Sequence, residues 1–498
     1  MSTSFPDTPL AEMDLVMHRA QEAFEQFQHV SAREKAAFLE AIATEIEALG
    51  ESLLQTAAKE TNISLPQLTG ERNRTTGQLR KFAEMLLEGS WVDASIDTAI
   101  PGRVPSPKPD VRKMLVPIGP VVVFGASNFP FAYSTAGGDT ASALAAGCSV
   151  VVKAHPQHPA TSTMVATAIT KAIQQCQVPV QVFQHVFGNS AEAGKSLVQH
   201  PATAGVGFTG SLAGGRALYD YAAQRTTPIP VFSEMGSVNP VVFLPDTMRK
   251  NAEKLALQYA ASITLGTGQF CTNPGILIAL EGEGLDAFTE HLGKALNGTK
   301  PGKMLHQGIY QSFQNKRSDA LRQNGVELLQ ESGTAPGEME ARPTIATVSG
   351  AHFLENPLLH EEIFGPYSLL VRCRDMNELQ QAWLSLKGQL TTSLMGTKQD
   401  FHEHAALVQK AATMAGRIIF NGVPTGVEVC PGMVHGGPYP ATTDSRFTAV
   451  GIHAVKRWVR PVCWQNCPDE LLPAELKNDN PYGIWRLLNN EWTKNKQQ

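Results

Sequence analysis

A chain of 498 residues exceeds what one hydrophobic core serves, so two or three domains are expected. With 42% apolar and 17% charged residues it has the composition of a folded globular protein, which excludes intrinsic disorder. A formal net charge of −5 without a dense Lys/Arg run speaks against a nucleic-acid partner, and apolar runs as short as Val121 to Phe124 speak against a membrane span.

In chain order, Met1 to Leu15 carries Asp7, Glu12 and Asp14 and does not read as a signal peptide. Seven scattered cysteines form no disulfide framework, and the odd count leaves at least one free, so a reducing, cytosolic location is expected. Cys463 and Cys467 lack a second Cys or His pair, so no metal site is expected. Ser31 to Glu34 has the form of a capping box, and Phe38, Ile42, Ile46 and Leu49 follow at helical spacing up to Gly50, a natural stop. A second helix is predicted through Leu79, Phe82 and Leu86.

From about residue 115 strands and helices alternate. Strands are predicted at 121–124, 149–153, 182–187 and 204–208. Between them lie a small-residue helix stopped by Gly147 and helices over 161–176, 191–200 and 212–223. This alternation predicts a parallel sheet covered on both faces, with ligands at the carboxyl ends of its strands. A second alternating block spans about Pro230 to Gly436, with strands at 241–244 and 276–280 around a helix over 252–265. The tail with Pro461, Pro468, Pro473 and Pro481 is expected to wrap over the surface.

Taken singly, the chemically interesting residues have ordinary explanations. Gly205-Val-Gly-Phe-Thr-Gly210 fits the dinucleotide pattern G-x-G-x-x-G, yet a tight turn at a strand end explains it equally. Cys271, beside Gly268 and Thr272, fits either an exposed thiol on a turn or an inert buried cysteine. Asn128 fits a turn residue before Phe129-Pro130. Glu234 follows the apolar Ile229, Val231 and Phe232, so partial burial and a raised pKa are expected. Ser211 stands at a helix start, where N–H groups favour phosphate and where serine is also a common cap.

Six segments read together say more. Pro120 to Pro130 with Asn128-Phe-Pro, Gly147 to Lys153, Phe208-Thr-Gly-Ser211 with Gly215, Glu234-Met-Gly236-Ser-Val-Asn-Pro240, Gly268-Gln-Phe-Cys271-Thr, and Glu362-Ile-Phe364-Gly-Pro366 occur in that order. In both content and order they resemble the aldehyde dehydrogenase family. The resemblance implies an α/β fold with a Rossmann-like cofactor domain (1–97 and 118–234) and an α/β catalytic domain (235–437). It also implies a β-hairpin oligomerisation arm and tail (98–117 and 438–498). The implied reaction is NAD(P)-dependent oxidation of a small-molecule aldehyde to an acid through a thioester on Cys271, in a homodimer or homotetramer. Asn128 is implied as the oxyanion donor, together with the Cys271 N–H, and Glu234 as the base for water. Lys153, Ser211, Gly215, Gly236, Glu362 and Phe364 are implied to hold the cofactor.

Glu71 to Arg80, Phe420 to Val429 and His435 to Pro440 are similar to the NADP-preferring branch of alpha-ketoglutaric semialdehyde dehydrogenases, and also to fatty aldehyde dehydrogenases. Pro156 stands where NAD-specific relatives often carry a glutamate, which permits NADP; His155, His158 and Lys195 are candidates for its extra phosphate. Gly125-Ala-Ser-Asn128 lacks the tryptophan many relatives carry before the asparagine. Arg72, Arg74, Arg80 and Arg446 are candidates for a substrate carboxylate. Cofactor-free cysteine hydrolysis, with His435 as a conceivable base, and a non-enzymatic role are the alternatives from other classes.

Overall fold

The computed structural model describes residues 5–497, and the predicted strands assemble into two parallel sheets. The first sheet has the order Phe183–Val186, Val150–Lys153, Val121–Phe124, Gly205–Thr209, Val231–Glu234, all parallel. Its strands are short and apolar because both faces are covered. Helices Ala32–Ala48, Leu65–Glu88 and Pro159–Cys176 share one core with one face, while Leu10–Phe27, Ala191–Gln199 and Leu212–Ala223 cover the other. Strand order reverses between Val121–Phe124 and Gly205–Thr209, and such a switch point opens a crevice at the carboxyl ends.

Local signals set many of these boundaries. The capping box forms: Ser31 Oγ accepts from the Glu34 N–H, and Glu34 accepts from the Ser31 N–H. Gly50 breaks the chain at φ +59°, and Gly147 ends its helix at φ +97°, both left-handed positions suited to glycine.

The second sheet has the order Glu327–Glu331, Thr344–Ser349, Tyr367–Cys373, Ile276–Leu280, Val241–Phe243, Gln389–Met395, Ala415–Phe420. Only the edge strand Glu327–Glu331 is antiparallel. The chain after Ala415–Phe420 returns to the first sheet, where Glu234 bridges to Thr442 and the Met235 N–H donates to Ala441 O.

A third sheet joins distant parts of the chain in the order Val459–Gln465, Val111–Pro117, Ser95–Asp97, Arg486–Leu488, Glu491–Thr493. The tail therefore differs from the expected surface wrap. It supplies three of five strands and shares a small core with Ile96 and Met114. Proline did not prevent this, because Pro461 lies on an edge strand, where a missing N–H is tolerated. Residues 98–110 form a projecting hairpin closed by the Ile100–Lys108 bridge.

Arg457 ties this tail to helix Gly138–Ala146, which packs beside the first sheet. Its guanidinium lies 2.7 Å from Asp139, with both side chains largely buried. Arg457→Met leaves that carboxylate without its counter-ion, and a loss of about 3–5 kcal/mol is expected, read as a lower urea midpoint with an unchanged m-value.

Candidate active site

The loop bearing the candidate nucleophile Cys271 follows helix Pro245–Thr264. Gly266, Thr267 and Gly268 take φ of +53°, +59° and +64°, three left-handed residues in succession. Such a backbone strains a β-branched residue like Thr267. At Gly268 a Cβ would stand 2.3 Å from Gly365 O, so glycine alone fits there. The loop is pinned by Asn239, whose Nδ2 donates to Cys271 O at 2.8 Å and Asn273 O at 2.9 Å. Gln389 in turn holds the Asn239 segment by accepting from the Val238 and Asn239 N–H groups.

Glu234 ends the last strand of the first sheet, fully enclosed. His435 reaches it from the returning chain: His435 Nε2 lies 2.9 Å from Glu234 Oε1 and 3.5 Å from Cys271 Sγ. Gly436 and Gly437 make this possible. A Cβ on Gly437 would meet Gln389 O at 2.0 Å, and one on Gly436 would meet Phe447 O at 2.7 Å. An ionised carboxylate only accepts, so Nε2 carries the hydrogen and donates it to Glu234. Among the described residues Glu234 Oε2 and His435 Nδ1 are buried without a partner.

The two acids of this cluster are driven apart. Burial pushes the Cys271 thiol up, the Glu234 carboxylate pushes it further, and it stands well above its usual range. Burial also pushes Glu234 up, but His435 beside it outweighs that and holds the carboxyl below its usual range. The raised pKa expected for Glu234 is thus corrected, and the cause is a histidine distant in sequence.

Asn128 meets the nucleophile loop, its Nδ2 donating to Gln269 O at 3.1 Å. Its own loop is fixed by Glu71, whose Oε1 accepts from the N–H groups of Phe131 and Ala132 at 2.8 and 2.9 Å. Cys271, Glu71, Arg74, Phe129, Tyr133 and Phe270 line a cavity of about 250 Å³.

The cofactor candidates gather around the carboxyl ends of the first sheet. Lys153 ends its strand, its Nζ donating to Gly188 O at 2.6 Å, and burial lowers its pKa. Ser211 caps helix Leu212–Ala223 by accepting from the Gly214 N–H. At Gly215 a Cβ would stand 2.6 Å from Met235 Cγ, so this glycine lets the helix lie close on the sheet. Glu362 rests on Gly236, where a Cβ would stand 2.6 Å from its Oε2, and burial pushes its carboxyl up to about 7. Phe364 is half-buried two residues on.

Sequence reasoning missed Glu71, Tyr133 and Asn239, and named His435 only as a conceivable base in the cofactor-free alternative. Asn239 lay inside a quoted motif, and its signal is an asparagine at φ +46°, a backbone state that asparagine tolerates. His435 gave no local signal beyond the two glycines that follow it.

The thiol's position makes a measurable claim. Alkylation of Cys271 by iodoacetamide, followed by peptide mass, is expected to rise about tenfold per pH unit between about pH 7 and 9 without levelling. Glu234→Gln removes the repelling charge, lowers the thiol pKa and speeds alkylation near neutrality. A plateau already reached near neutral pH in the wild type contradicts the raised pKa.

Residues 2–441 match the Aldehyde dehydrogenase family. The chain is 46% identical to alpha-ketoglutaric semialdehyde dehydrogenase 2 of Azospirillum brasilense over 96% of this chain and 91% of that one. It is 45% identical to alpha-ketoglutaric semialdehyde dehydrogenase of Acinetobacter baylyi over 99% of this chain and 93% of the relative. Solved structures share the fold at lower identity. One is glyceraldehyde-3-phosphate dehydrogenase GapN of Methanocaldococcus jannaschii complexed with NADP, with a TM-score of 0.77 at 18% identity over 93% of this chain and 96% of that one. Another is proline utilization A of Bradyrhizobium japonicum, with a TM-score of 0.78 at 22% identity over 93% of this chain, which spans 45% of that longer protein. A thiol, a carboxylate and an asparagine amide meet beside a doubly wound sheet, and with these full-length relatives the chain belongs to the aldehyde dehydrogenase family.

Proposed function

We propose that the protein oxidises alpha-ketoglutaric semialdehyde to alpha-ketoglutarate, with NADP as the preferred cofactor. The observation that carries the chemistry is that His435 Nε2 brings Glu234 and Cys271 together, while Asn128 bonds the loop that bears Cys271. The substrate is supported by the names of the relatives at 45% and 46% identity. Residues 1–97 and 118–234 are assigned to cofactor binding and 235–437 to catalysis. Residues 98–117 and 438–498, with exposed Val104, Leu471 and Trp492, are assigned to assembly as a homodimer or homotetramer.

The residues at the carboxyl ends of the first sheet fit a dinucleotide. The N-terminus of helix Leu212–Ala223 is exposed at Ser211, Leu212 and Ala213, and favours phosphate. Lys153 suits the adenosine ribose, Glu362 on its glycine cradle suits the nicotinamide ribose, and Phe364 suits the nicotinamide. Bound NAD(P) supplies the hydride acceptor.

The chain's own residues do the rest. The Cys271 proton passes to Glu234 as sulfur bonds to the aldehyde carbon, giving a tetrahedral adduct. Its oxygen, now negative, is stabilised by the Asn128 amide and the Cys271 N–H. Loss of hydride from the adduct leaves a thioester. Glu234 first releases the thiol's proton to solvent and then, aligned by the His435 N–H, takes a proton from water; the hydroxide adds to the thioester carbon, the C–S bond breaks, and the leaving sulfur takes back that proton from Glu234. The opposed pKa directions suit these roles: Glu234 is an ionised acceptor at neutral pH, and Cys271 keeps its proton until the aldehyde arrives.

Cys271→Ala is expected to abolish aldehyde oxidation while keeping NADP binding. Glu234→Gln is expected to slow adduct formation and to block thioester hydrolysis, so that turnover stops after about one NADPH per site and an acyl mass accumulates on the Cys271 peptide. Normal turnover by Cys271→Ala contradicts the mechanism. A panel comparing alpha-ketoglutaric semialdehyde with hexanal tests the substrate, since the alternative is an aliphatic aldehyde dehydrogenase.

The NADP preference rests on Pro156, which removes the carboxylate that repels a 2′-phosphate. His158 drops out as a phosphate ligand, because it is fully buried with Nε2 2.8 Å from Ala126 O. His155, stacked on it, and the exposed Lys195 remain. kcat/KM with NADP is expected to equal or exceed that with NAD; a strong NAD preference contradicts this.

A further inference from the structure

Arg74 has no hydrogen bond to Cys271, Glu234 or Asn128, and it stands on the wall of the cavity that Cys271 lines. Its Nη2 donates to the Tyr133 hydroxyl at 3.4 Å, and the guanidinium lies 5.3 Å from that ring's centre. The Arg74 Nε is buried without a hydrogen-bond partner, and among the described residues the guanidinium forms no ion pair. The other arginines singled out in the sequence are all engaged elsewhere. Arg72 donates to Gly50 O, Arg80 pairs with Glu40 and Glu47, and Arg446 pairs with Asp444 at the surface.

Two neighbours sharpen the contrast. Glu71, one turn before Arg74, directs Oε1 to two backbone N–H groups, and burial pushes its carboxyl up to about 7, so it opposes an incoming anion only weakly. Across the cavity, Gly426 and Val427 form the facing wall. That wall is tethered by Arg417, whose Nη1 donates to Gly426 O at 2.8 Å and Nη2 to Pro424 O at 2.5 Å, with Nε again buried and unpartnered. Arg417 adds a second positive charge whose field reaches Cys271 and Tyr133.

A half-buried guanidinium that no carboxylate pairs directly keeps donors free, and its planar fork suits a carboxylate. A cavity with a nucleophilic thiol at its floor and such a cation on its wall selects a molecule with an aldehyde at one end and an anion at the other. We propose that Arg74, with Arg417 holding the facing wall, anchors the distal carboxylate of a short ω-oxo carboxylate substrate. The proposal rests on the semialdehyde oxidation proposed above and names the residue that recognises the acid.

The experiment compares kcat/KM for alpha-ketoglutaric semialdehyde and for pentanal, with NADP, in wild type, Arg74→Met and Arg74→Lys. Arg74→Met is expected to lower the semialdehyde-to-pentanal ratio by about 10- to 100-fold. Arg74→Lys is expected to lower it less, because charge remains while the fork is lost. An equal loss for both substrates means that Arg74 only supports the Tyr133 wall and overturns the proposal. Calorimetry with glutarate needs no turnover and separates this anchor from the substrate assignment. If the wild type prefers pentanal, the semialdehyde assignment fails. The anchor still stands if glutarate binds the wild type at least about tenfold more tightly than Arg74→Met. Equal glutarate binding by the two proteins overturns it.

Discussion

The active site depends on a close approach that only glycine permits. Gly436 and Gly437 let the returning chain run against Gln389 of the second sheet and Phe447, and that path delivers His435 to Glu234 at the edge of the first sheet. The nucleophile reaches the same point from the other side, through Gly268 pressed on Gly365. Neither sheet holds a complete site. The carboxylate belongs to the first, the thiol follows a helix of the second, and the histidine belongs to the segment that crosses between them. A Cβ at any of these glycines displaces backbone rather than a movable side chain, so the error passes directly to the Cys271–His435–Glu234 spacing.

That spacing also sets the electrostatics. Two acidic groups so close cannot both ionise easily, and the protein resolves the conflict by giving the histidine to the carboxylate. A proton left on sulfur makes the resting thiol slow toward adventitious electrophiles. Once the thiolate forms, its high pKa makes it an intrinsically strong nucleophile, because nucleophilicity rises with basicity. In the proposed mechanism Glu234 accepts the thiol proton and, once that proton has left to solvent, serves as the base for water, with the His435 N–H orienting it for both steps.

Much of this fold was legible in the sequence, for reasons that differ by element. Helix Leu212–Ala223 and strand Ile276–Leu280 were read to the residue. The helix begins at its Ser211 cap, and the strand is an unbroken apolar run. The tail was misread because its prolines suggested irregular chain, whereas an edge strand accommodates Pro461. In the candidate site, Cys271, Glu234 and Asn128 were singled out through motifs that each span a few residues. His435 was named only as a conceivable base, since its contacts with Cys271 and Glu234 bridge 164 and 201 positions, and no local pattern reports such a pairing. The direction of the Glu234 pKa failed for the same reason: apolar neighbours in sequence announce burial, but the decisive charge comes from far along the chain.

Helix Leu65–Glu88 links substrate recognition to the chemistry. Through Glu71 it clamps the backbone at Phe131 and Ala132, and so fixes the loop bearing Asn128. One turn later the same helix presents Arg74 to the cavity. An anion held at Arg74 is thus held by the element that positions the proposed oxyanion donor, and Tyr133 connects the two regions, its ring centre 5.4 Å from that of Phe129 and 6.1 Å from that of His435. Binding energy from the remote carboxylate is then expressed as orientation of the aldehyde over Cys271, where it lowers the barrier instead of merely deepening the ground state. A neutral aldehyde of similar length can enter the same cavity, but it arrives without that second point of attachment and samples more orientations in which sulfur and carbonyl carbon do not align.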